Sequence, residues 1–188
     1  MRIILASESP GRKQALQEAG FVFEVVPSNF NEDIGLNLSP KELTIYLSQG
    51  KARSVAAKYQ DAVIIGADTV AVFENKILGK PHTEENAIRM LSTLSGNVHS
   101  MITGLTVIDT HNKKEVTRSV ETKIWFRHIP LEEIIEYSKT GEALKKAGGY
   151  AYQLNGHKFV ERIEGSESNI IGLPLEELKK LLEDFSLA

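Results

Sequence analysis

The segment LASESPGRKQAL, residues 5–16, brings two hydroxyl residues and two cations together at the expected start of a helix. Backbone N–H groups exposed at a helix N-terminus carry partial positive charge and suit a phosphate. Ser7 and Ser9 would add hydroxyl donors, and Arg12 and Lys13 would add full charges. The same residues also fit an ordinary helix start, with Ser9 as the cap and both cations in solvent. Both interpretations stay open on these residues alone.

A second candidate is Asp68, a carboxylate inside the otherwise apolar run at residues 62–72. Desolvating an ionised carboxylate is costly unless a cation, a metal or water compensates it. Asp68 therefore either caps a bend between strands or acts as a general base or metal ligand. A rigid apolar strand is the support that a catalytic carboxylate needs, which favours the functional interpretation. Glu32, on a polar loop, could join Asp68 in holding Mg²⁺ and activating water.

Other polar residues are less informative singly. Lys51 lies on a predicted helix, where the sequence alone favours a solvated side chain. Lys80 lies in a constrained turn between a glycine and a proline. His99 lies on a predicted strand, where a structural role is more common than a ligand role. Together with the cations of residues 5–16 and the two carboxylates, these residues suggest a phosphate-ester hydrolase and nothing more specific.

Strand-like runs and helical patterns alternate along the chain, which predicts one α/β domain over residues 1–188 whose sheet contains antiparallel pairs. Helices are expected to begin near Pro10, Pro40 and Thr83 and at the two PLEE segments. The expected strands are RIIL, FVFEVVP, AVIIGADTVAVF, VHSMITGLTVID and EVTRSVETKIWFRHI. This alternation would position the candidate residues, which come from five separate segments.

Composition limits the possible function. The chain has 188 residues, a net charge of −3 and no cysteine, so a disulfide framework or a thiolate metal site is excluded. The negative balance argues against broad electrostatic binding to nucleic acid. No apolar stretch approaches the roughly 18 residues that span a bilayer, and the N-terminal run lacks the apolar core of a secretion signal. We therefore expect a soluble cytoplasmic protein.

The motifs, taken in order, resemble those of Maf-like proteins from about Leu5 to Leu175. They are LASESPGRKQAL, KA at 51–52, GADTV, GKP, LSG…H…TG, KKAGGYAYQ and EGSESNIIGLPL. The resemblance implies an elongated, mixed α/β fold with two lobes around a deep cleft, similar to the inosine-triphosphate pyrophosphatases and often dimeric. It also implies hydrolysis of a nucleoside triphosphate to the monophosphate and pyrophosphate, with Mg²⁺, Mn²⁺ or another divalent metal.

The resemblance assigns a role to each candidate residue. The SESPGRK loop would bind the triphosphate, with Ser7, Ser9 and Arg12 at the matching positions and Lys13 beside them. Lys51 and Lys80 would contact further phosphate oxygens. Asp68 would be the general base, and both Asp68 and Glu32 would be metal ligands.

Three positions distinguish two large groups of the family and are Gly11, Thr69 and Gln153 in this sequence. The dTTP/UTP group has Arg, Thr and Gln there, and the group acting on 7-methyl-GTP has a bulky residue, Gln and Glu. Gly11 fits neither group. The Gln153 amide offers a donor and an acceptor, so it can read the imide edge of a pyrimidine. We expect action on dTTP and UTP, including modified pyrimidine nucleotides. The alternatives are the same reaction on 7-methyl-GTP or another non-standard purine nucleotide, and a nucleotide-binding regulator of cell division.

Overall fold

The computed structural model describes residues 2–32 and 36–185. Its α-helices are α1 (Pro10–Glu18), α2 (Pro40–Ala56), α3 (Glu84–Leu94), α4 (Leu131–Lys139), α5 (Glu167–Ile171) and α6 (Leu175–Asp184). Its strands are β1 (Arg2–Leu5), β2 (Glu24–Val25), β3 (Ala62–Phe73), β4 (Lys76–Leu78), β5 (Val98–Asp109), β6 (Lys114–Phe126) and β7 (Val160–Glu164). Two short 3₁₀ helices, Ala147–Gly149 and Gly156–Phe159, flank the segment that carries Gln153.

The chain divides into two compact units. Unit 1 comprises Met1–Thr69, Thr103–Val120 and Ser168–Ala188, and unit 2 comprises Val70–Ile102 and Glu121–Glu167. Strands β3, β5 and β6 each contribute residues to both units. The single domain and the deep cleft that the sequence predicts stay predictions.

The strands form a mixed sheet in the order β2-β1-β3-β5-β6-β7, with β4 also paired to β3. In unit 1, β1 pairs in parallel with both β2 and β3, so that Leu5 lies opposite Val25 and Ile65. In unit 2, the end of β3 pairs antiparallel with β4, and the end of β6 pairs antiparallel with β7. The predicted α/β class with antiparallel pairs is therefore confirmed.

The core of unit 1 follows the two-residue alternation of its strands. Odd-numbered residues of β1 and β3 pack against α1 and α6, and even-numbered residues pack against α2. Thus Leu5 and Ile65 contact the cluster that contains Leu16, whereas Ile64 contacts the cluster that contains Val55. The same alternation places Asp68 on the α2 side of β3 and Thr69 on the α1 side.

The helix starts agree with the sequence signals. Ser39 begins α2 with a full capping box, because its Oγ accepts from the Glu42 backbone N–H and the Glu42 carboxylate accepts from the Ser39 N–H. At α3 only half of this arrangement is present, because Thr83 Oγ1 accepts from the Asn86 backbone N–H without a reciprocal bond from the Asn86 side chain. No helix in the described part of the chain is long and apolar enough to cross a membrane.

Three parts of the sheet differ from the sequence prediction, and one of them is the three-residue strand β4, which the sequence does not predict. The FVFEVVP run contributes only Glu24 and Val25 to the sheet, because pairing with β1 stops at Leu5 where the chain turns toward α1. Strand β7, VERIE, was not predicted, since three of its five residues are charged. It pairs through its backbone with β6, and Arg162 lies over the Trp125 ring with a charge-to-centroid distance of 3.8 Å.

Candidate active site

The loop before α1 is held by its own hydroxyl groups. Ser9 is the N-cap of α1, and its Oγ lies 3.5 Å from the Arg12 backbone nitrogen. Ser7 is buried, and its Oγ accepts from the Ser9 N–H at 3.2 Å and from Arg12 Nη1 at 3.1 Å. The capping role that the sequence left open is therefore present. Arg12 does not lie in solvent as the capping interpretation expects, because its guanidinium is turned back onto the loop and donates to Ser7 Oγ.

Arg12 connects this loop to two other segments of unit 1. Its Nε donates to the Gly172 carbonyl oxygen at 2.8 Å, and its Nη2 donates to Thr69 Oγ1 at 3.2 Å. Desolvation lowers the pKa of the Arg12 guanidinium below its usual range, and the charges of Asp68 and Glu32 act in the opposite direction. A guanidinium has five N–H donors, and three of them are used here, so two remain for a phosphate.

Lys51 joins the two candidate carboxylates. Its Nζ lies 2.5 Å from Asp68 Oδ1 and 3.0 Å from Glu32 Oε1. The side chains of Lys51 and Asp68 are only 13% and 12% exposed, whereas that of Glu32 is 46% exposed. The solvated position that the sequence alone favoured for Lys51 is therefore wrong. An ammonium group has three donors, so with two carboxylate partners in the described residues one donor is left for a phosphate oxygen.

Two glycines explain why α2 brings Lys51 to Asp68. A Cβ on Gly66 would lie 2.6 Å from the Ser48 carbonyl oxygen and 2.8 Å from Ala52 Cβ, so only glycine lets α2 approach β3 this closely. Gly66 and Asp68 lie on the same face of β3, the face that α2 covers. At Gly50 of α2, the Phe30 ring occupies the space that a Cβ would need. A Cβ added to Gly50 would overlap the ring carbons. Phe30 thus fixes the start of the loop that carries Glu32.

The charges of this group are balanced before any ligand arrives. Two cations, Arg12 and Lys51, face two carboxylates, Asp68 and Glu32. The described residues contain no group of three or more His, Cys, Asp or Glu side chains that could hold a metal. Two carboxylates completed by phosphate oxygens and water are nevertheless the donor set on which Mg²⁺ commonly relies. The residues therefore fit a divalent ion that arrives with a polyphosphate.

Several predicted residues are not brought into this group by the contacts within unit 1. Lys13 is exposed, and Gly11 is buried in the first turn of α1. Lys80 is exposed and Gln153 is half-buried, and both belong to unit 2. Their predicted roles stay predictions.

Sequence reasoning missed two members of the group. Thr103 is fully buried on β5, and its Oγ1 lies 2.9 Å from Thr69 Oγ1. Gly172 has a φ of +105°, and its carbonyl accepts from Arg12. Both lie in motifs that the chain shares with Maf-like proteins, TG and IGLPL. Nothing in those motifs indicates which atoms contact Arg12 or Thr69.

A model of the family described as Maf-like protein matches residues 2–185. The chain belongs to the Maf-like family. Similar proteins named dTTP/UTP pyrophosphatase occur in Thermoanaerobacter sp. (44% identity, covering 97% of this chain and 96% of the relative) and in Methanosarcina mazei (43% identity, covering 100% and 95%). Another relative with that name, from Ruminiclostridium cellulolyticum, is 45% identical and covers 96% of this chain and 94% of its own.

The solved structure of a HAM1 protein from Coxiella burnetii has the same fold class as this Maf-like chain. It aligns with a TM-score of 0.53 at 16% identity and covers 98% of this chain and 99% of its own. At that identity the likeness concerns the fold alone. The family that the motifs predict is confirmed, whereas the roles of individual site residues stay predictions.

Proposed function

We propose that this Maf-like protein is a nucleoside triphosphate pyrophosphatase that hydrolyses dTTP and UTP to the nucleoside monophosphate and pyrophosphate. The observation that carries the proposal is the Lys51 bridge between Asp68 and Glu32, in the same unit as the Arg12 loop. A base, a candidate metal ligand and two cations are the groups that hydrolysis of a phosphoanhydride requires. The names of the similar proteins support the substrate.

The reaction assigns a task to each side chain. Asp68 orients a water molecule and takes its proton, while the water oxygen forms a bond to the α-phosphorus. The bond between that phosphorus and the α,β-bridging oxygen breaks, and pyrophosphate leaves with the electron pair. Arg12 and the free donor of Lys51 offset the charge that accumulates on the leaving group, and Lys80 and Lys13 are proposed to contact its outer oxygens.

A divalent ion has a defined place in this proposal. Glu32 and Asp68 would hold Mg²⁺ or Mn²⁺ together with phosphate oxygens and water, and the ion would supply charge compensation at the phosphates. Because the cations and carboxylates of the protein already balance, a triphosphate needs this additional positive charge. Lys51 would then exchange part of its contact with the carboxylates for contact with a phosphate.

Base selection is assigned to Thr69 and Gln153. The Gln153 amide can pair with a carbonyl and the adjacent N–H of uracil or thymine, whereas a carboxylate would favour purine donors. Gly11 adds no side chain to the first turn of α1 and leaves room for modified pyrimidines. A purine such as 7-methyl-GTP is the alternative that this missing side chain leaves open.

The direct test is pyrophosphate release with Mg²⁺ from dTTP, UTP, CTP, 7-methyl-GTP and ITP. Hydrolysis of UTP in ¹⁸O-labelled water should place the label in UMP and none in pyrophosphate, because attack is at the α-phosphorus. A preference for 7-methyl-GTP or ITP would refute the substrate assignment. Binding without turnover of any nucleotide would instead support a regulator of cell division.

We also propose a homodimer that acts in the cytoplasm on free nucleotides, without a nucleic-acid or membrane partner. The family resemblance supports the dimer, and the net charge of −3 supports the lack of a nucleic-acid partner. Light scattering of the purified protein should give twice the chain mass of 20.8 kDa. A monomer at micromolar concentration would contradict the dimer.

A further inference from the structure

The Thr69 hydroxyl group has three polar neighbours within unit 1. Arg12 Nη2 lies 3.2 Å from Thr69 Oγ1, Thr103 Oγ1 lies 2.9 Å away, and the Gly172 carbonyl oxygen lies 3.4 Å away. Arg12 can only donate, because a guanidinium has no acceptor. The direction of the bond between the two threonines then decides what the Thr69 hydroxyl can offer to a ligand.

Burial fixes that direction. Thr103 is 0% exposed, and among the described residues its hydroxyl has one hydrogen-bond partner, Thr69 Oγ1. A buried hydroxyl proton without an acceptor costs roughly 1–3 kcal/mol, so the Thr103 proton points at Thr69. Thr69 Oγ1 therefore accepts from both Arg12 and Thr103, which occupies its two lone pairs.

The Thr69 proton is left over. The Gly172 oxygen is a weak acceptor for it, because 3.4 Å is long for an O–H···O bond. Thr69 is half-buried, so its side chain is not sealed from solvent. We propose that Thr69 acts only as a hydrogen-bond donor toward the substrate and selects a base carbonyl oxygen, and that Thr103 is the positioning residue that fixes this polarity.

This inference rests on the proposed function, which assigns Thr69 to base recognition, and it names the chemical group that is recognised. Uracil and thymine carry carbonyl oxygens at positions 2 and 4, and cytosine replaces the second with an amino group. A donor-only hydroxyl pairs with either carbonyl and leaves an amino group unpaired. With Thr103 unable to donate, one Thr69 lone pair becomes free, and the hydroxyl can pair with an amino group as well.

The test compares kcat/KM for UTP, 2-thio-UTP, 4-thio-UTP and CTP in the wild type and in variants. Sulfur is a weaker acceptor than oxygen, so the thio analogue at the recognised position should be about tenfold poorer for the wild type, as expected for one lost hydrogen bond. Thr69→Val should make that analogue and UTP nearly equal. If the recognised position is 4, CTP should be poorer for the wild type to a similar extent.

The Thr103 variants isolate the positioning role. Thr103→Val keeps the shape and removes the proton, so the Thr69 hydroxyl can accept from an amino group as well as donate to a carbonyl oxygen. The penalty for the nucleotide with an amino group at the recognised position, CTP for position 4 and isocytidine triphosphate for position 2, should therefore shrink several-fold. Thr103→Ser keeps the hydroxyl and should restore the wild-type penalty. Thr103→Cys, a weaker donor of similar size, serves if the valine variant does not fold. A general loss of structure would lower kcat/KM for all of these nucleotides without changing their ratios.

Failure of the inference is distinguishable from failure of the proposed function. A wild type that releases no pyrophosphate from UTP refutes the proposed function. A wild type that is active on UTP overturns the inference alone if Thr69→Val keeps the same thio penalties, or if Thr103→Val keeps the same penalty against the nucleotide with an amino group at the recognised position. Equal kcat/KM for UTP and both thio analogues in the wild type overturns it as well.

Discussion

Acidification should destabilise unit 2 through one buried histidine. His99 is 2% exposed and lies edge-on to the rings of Phe126 and Tyr150, and its Nε2 lies 2.9 Å from the Tyr150 hydroxyl oxygen. Its Nδ1 has no hydrogen-bond partner among the described residues. Burial lowers the pKa of His99 from 6.5 to about 4, because the apolar surroundings disfavour the imidazolium.

The magnitude follows from that difference in pKa. Above pH 6.5 the imidazole is neutral in both states, and its contribution to the free energy of unfolding is fully present. Between pH 6.5 and about 4 the unfolded chain binds a proton that the folded chain does not, so the free energy of unfolding falls as the pH falls. At 1.36 kcal/mol for each unit of pKa, the loss is about 3 kcal/mol once the pH reaches 4.

Guanidinium unfolding of the wild type, His99→Leu and His111→Gln at pH 7, 5.5 and 4.5 measures this contribution. His111 is exposed, so its replacement is the matched control for the loss of a histidine. His99→Leu should lower stability at pH 7 and show a much weaker decline between pH 6.5 and 4.5. The reasoning is refuted if His99→Leu and the wild type have the same pH dependence.

Two further substitutions test how the site is built. Gly66→Ala puts a Cβ 2.6 Å from the Ser48 carbonyl oxygen, so we expect a loss of about 1–3 kcal/mol and a lower kcat as α2 moves Lys51 from Asp68. Gly79→Ala is the stability control, because its Cβ meets nothing within 4 Å, and equal melting temperatures of the two variants would contradict the close approach. Glu32→Gln should raise the Mg²⁺ concentration needed for half-maximal pyrophosphate release by roughly tenfold. Replacement of an exposed acid of α1, Glu18→Gln, should not; an unchanged Mg²⁺ requirement in Glu32→Gln would remove Glu32 as a ligand.

The sequence was informative where one residue contrasts with its neighbours. Asp68 is prominent because a carboxylate interrupts an apolar strand, and Ser9 and Ser39 are prominent because they precede prolines at helix starts. Each of these signals is local, and the structure confirms the strand and both caps. The family resemblance added an ordered set of motifs, which the family match over residues 2–185 confirms.

The remaining features depend on packing between distant segments. In the sequence, Lys51 cannot be distinguished from any other lysine on a helix. Its position depends on Gly66, which lets α2 approach β3, and on Phe30, which packs onto Gly50. In the sequence, Thr103 likewise cannot be distinguished from any other β-branched strand residue. Its role depends on the hydrogen bond between its hydroxyl group and that of Thr69 on another strand. Such contacts join residues tens of positions apart, so no periodicity within one segment could predict them.

The most direct test of the central claim is pyrophosphate release from UTP by Asp68→Asn, measured beside nucleotide affinity in the same buffer with Mg²⁺. The amide keeps the size of the carboxylate and removes the base, so kcat should fall by about 10²–10⁴ while affinity changes little. Full turnover by Asp68→Asn would contradict the account, because the group that takes the proton from water would then have to be another residue.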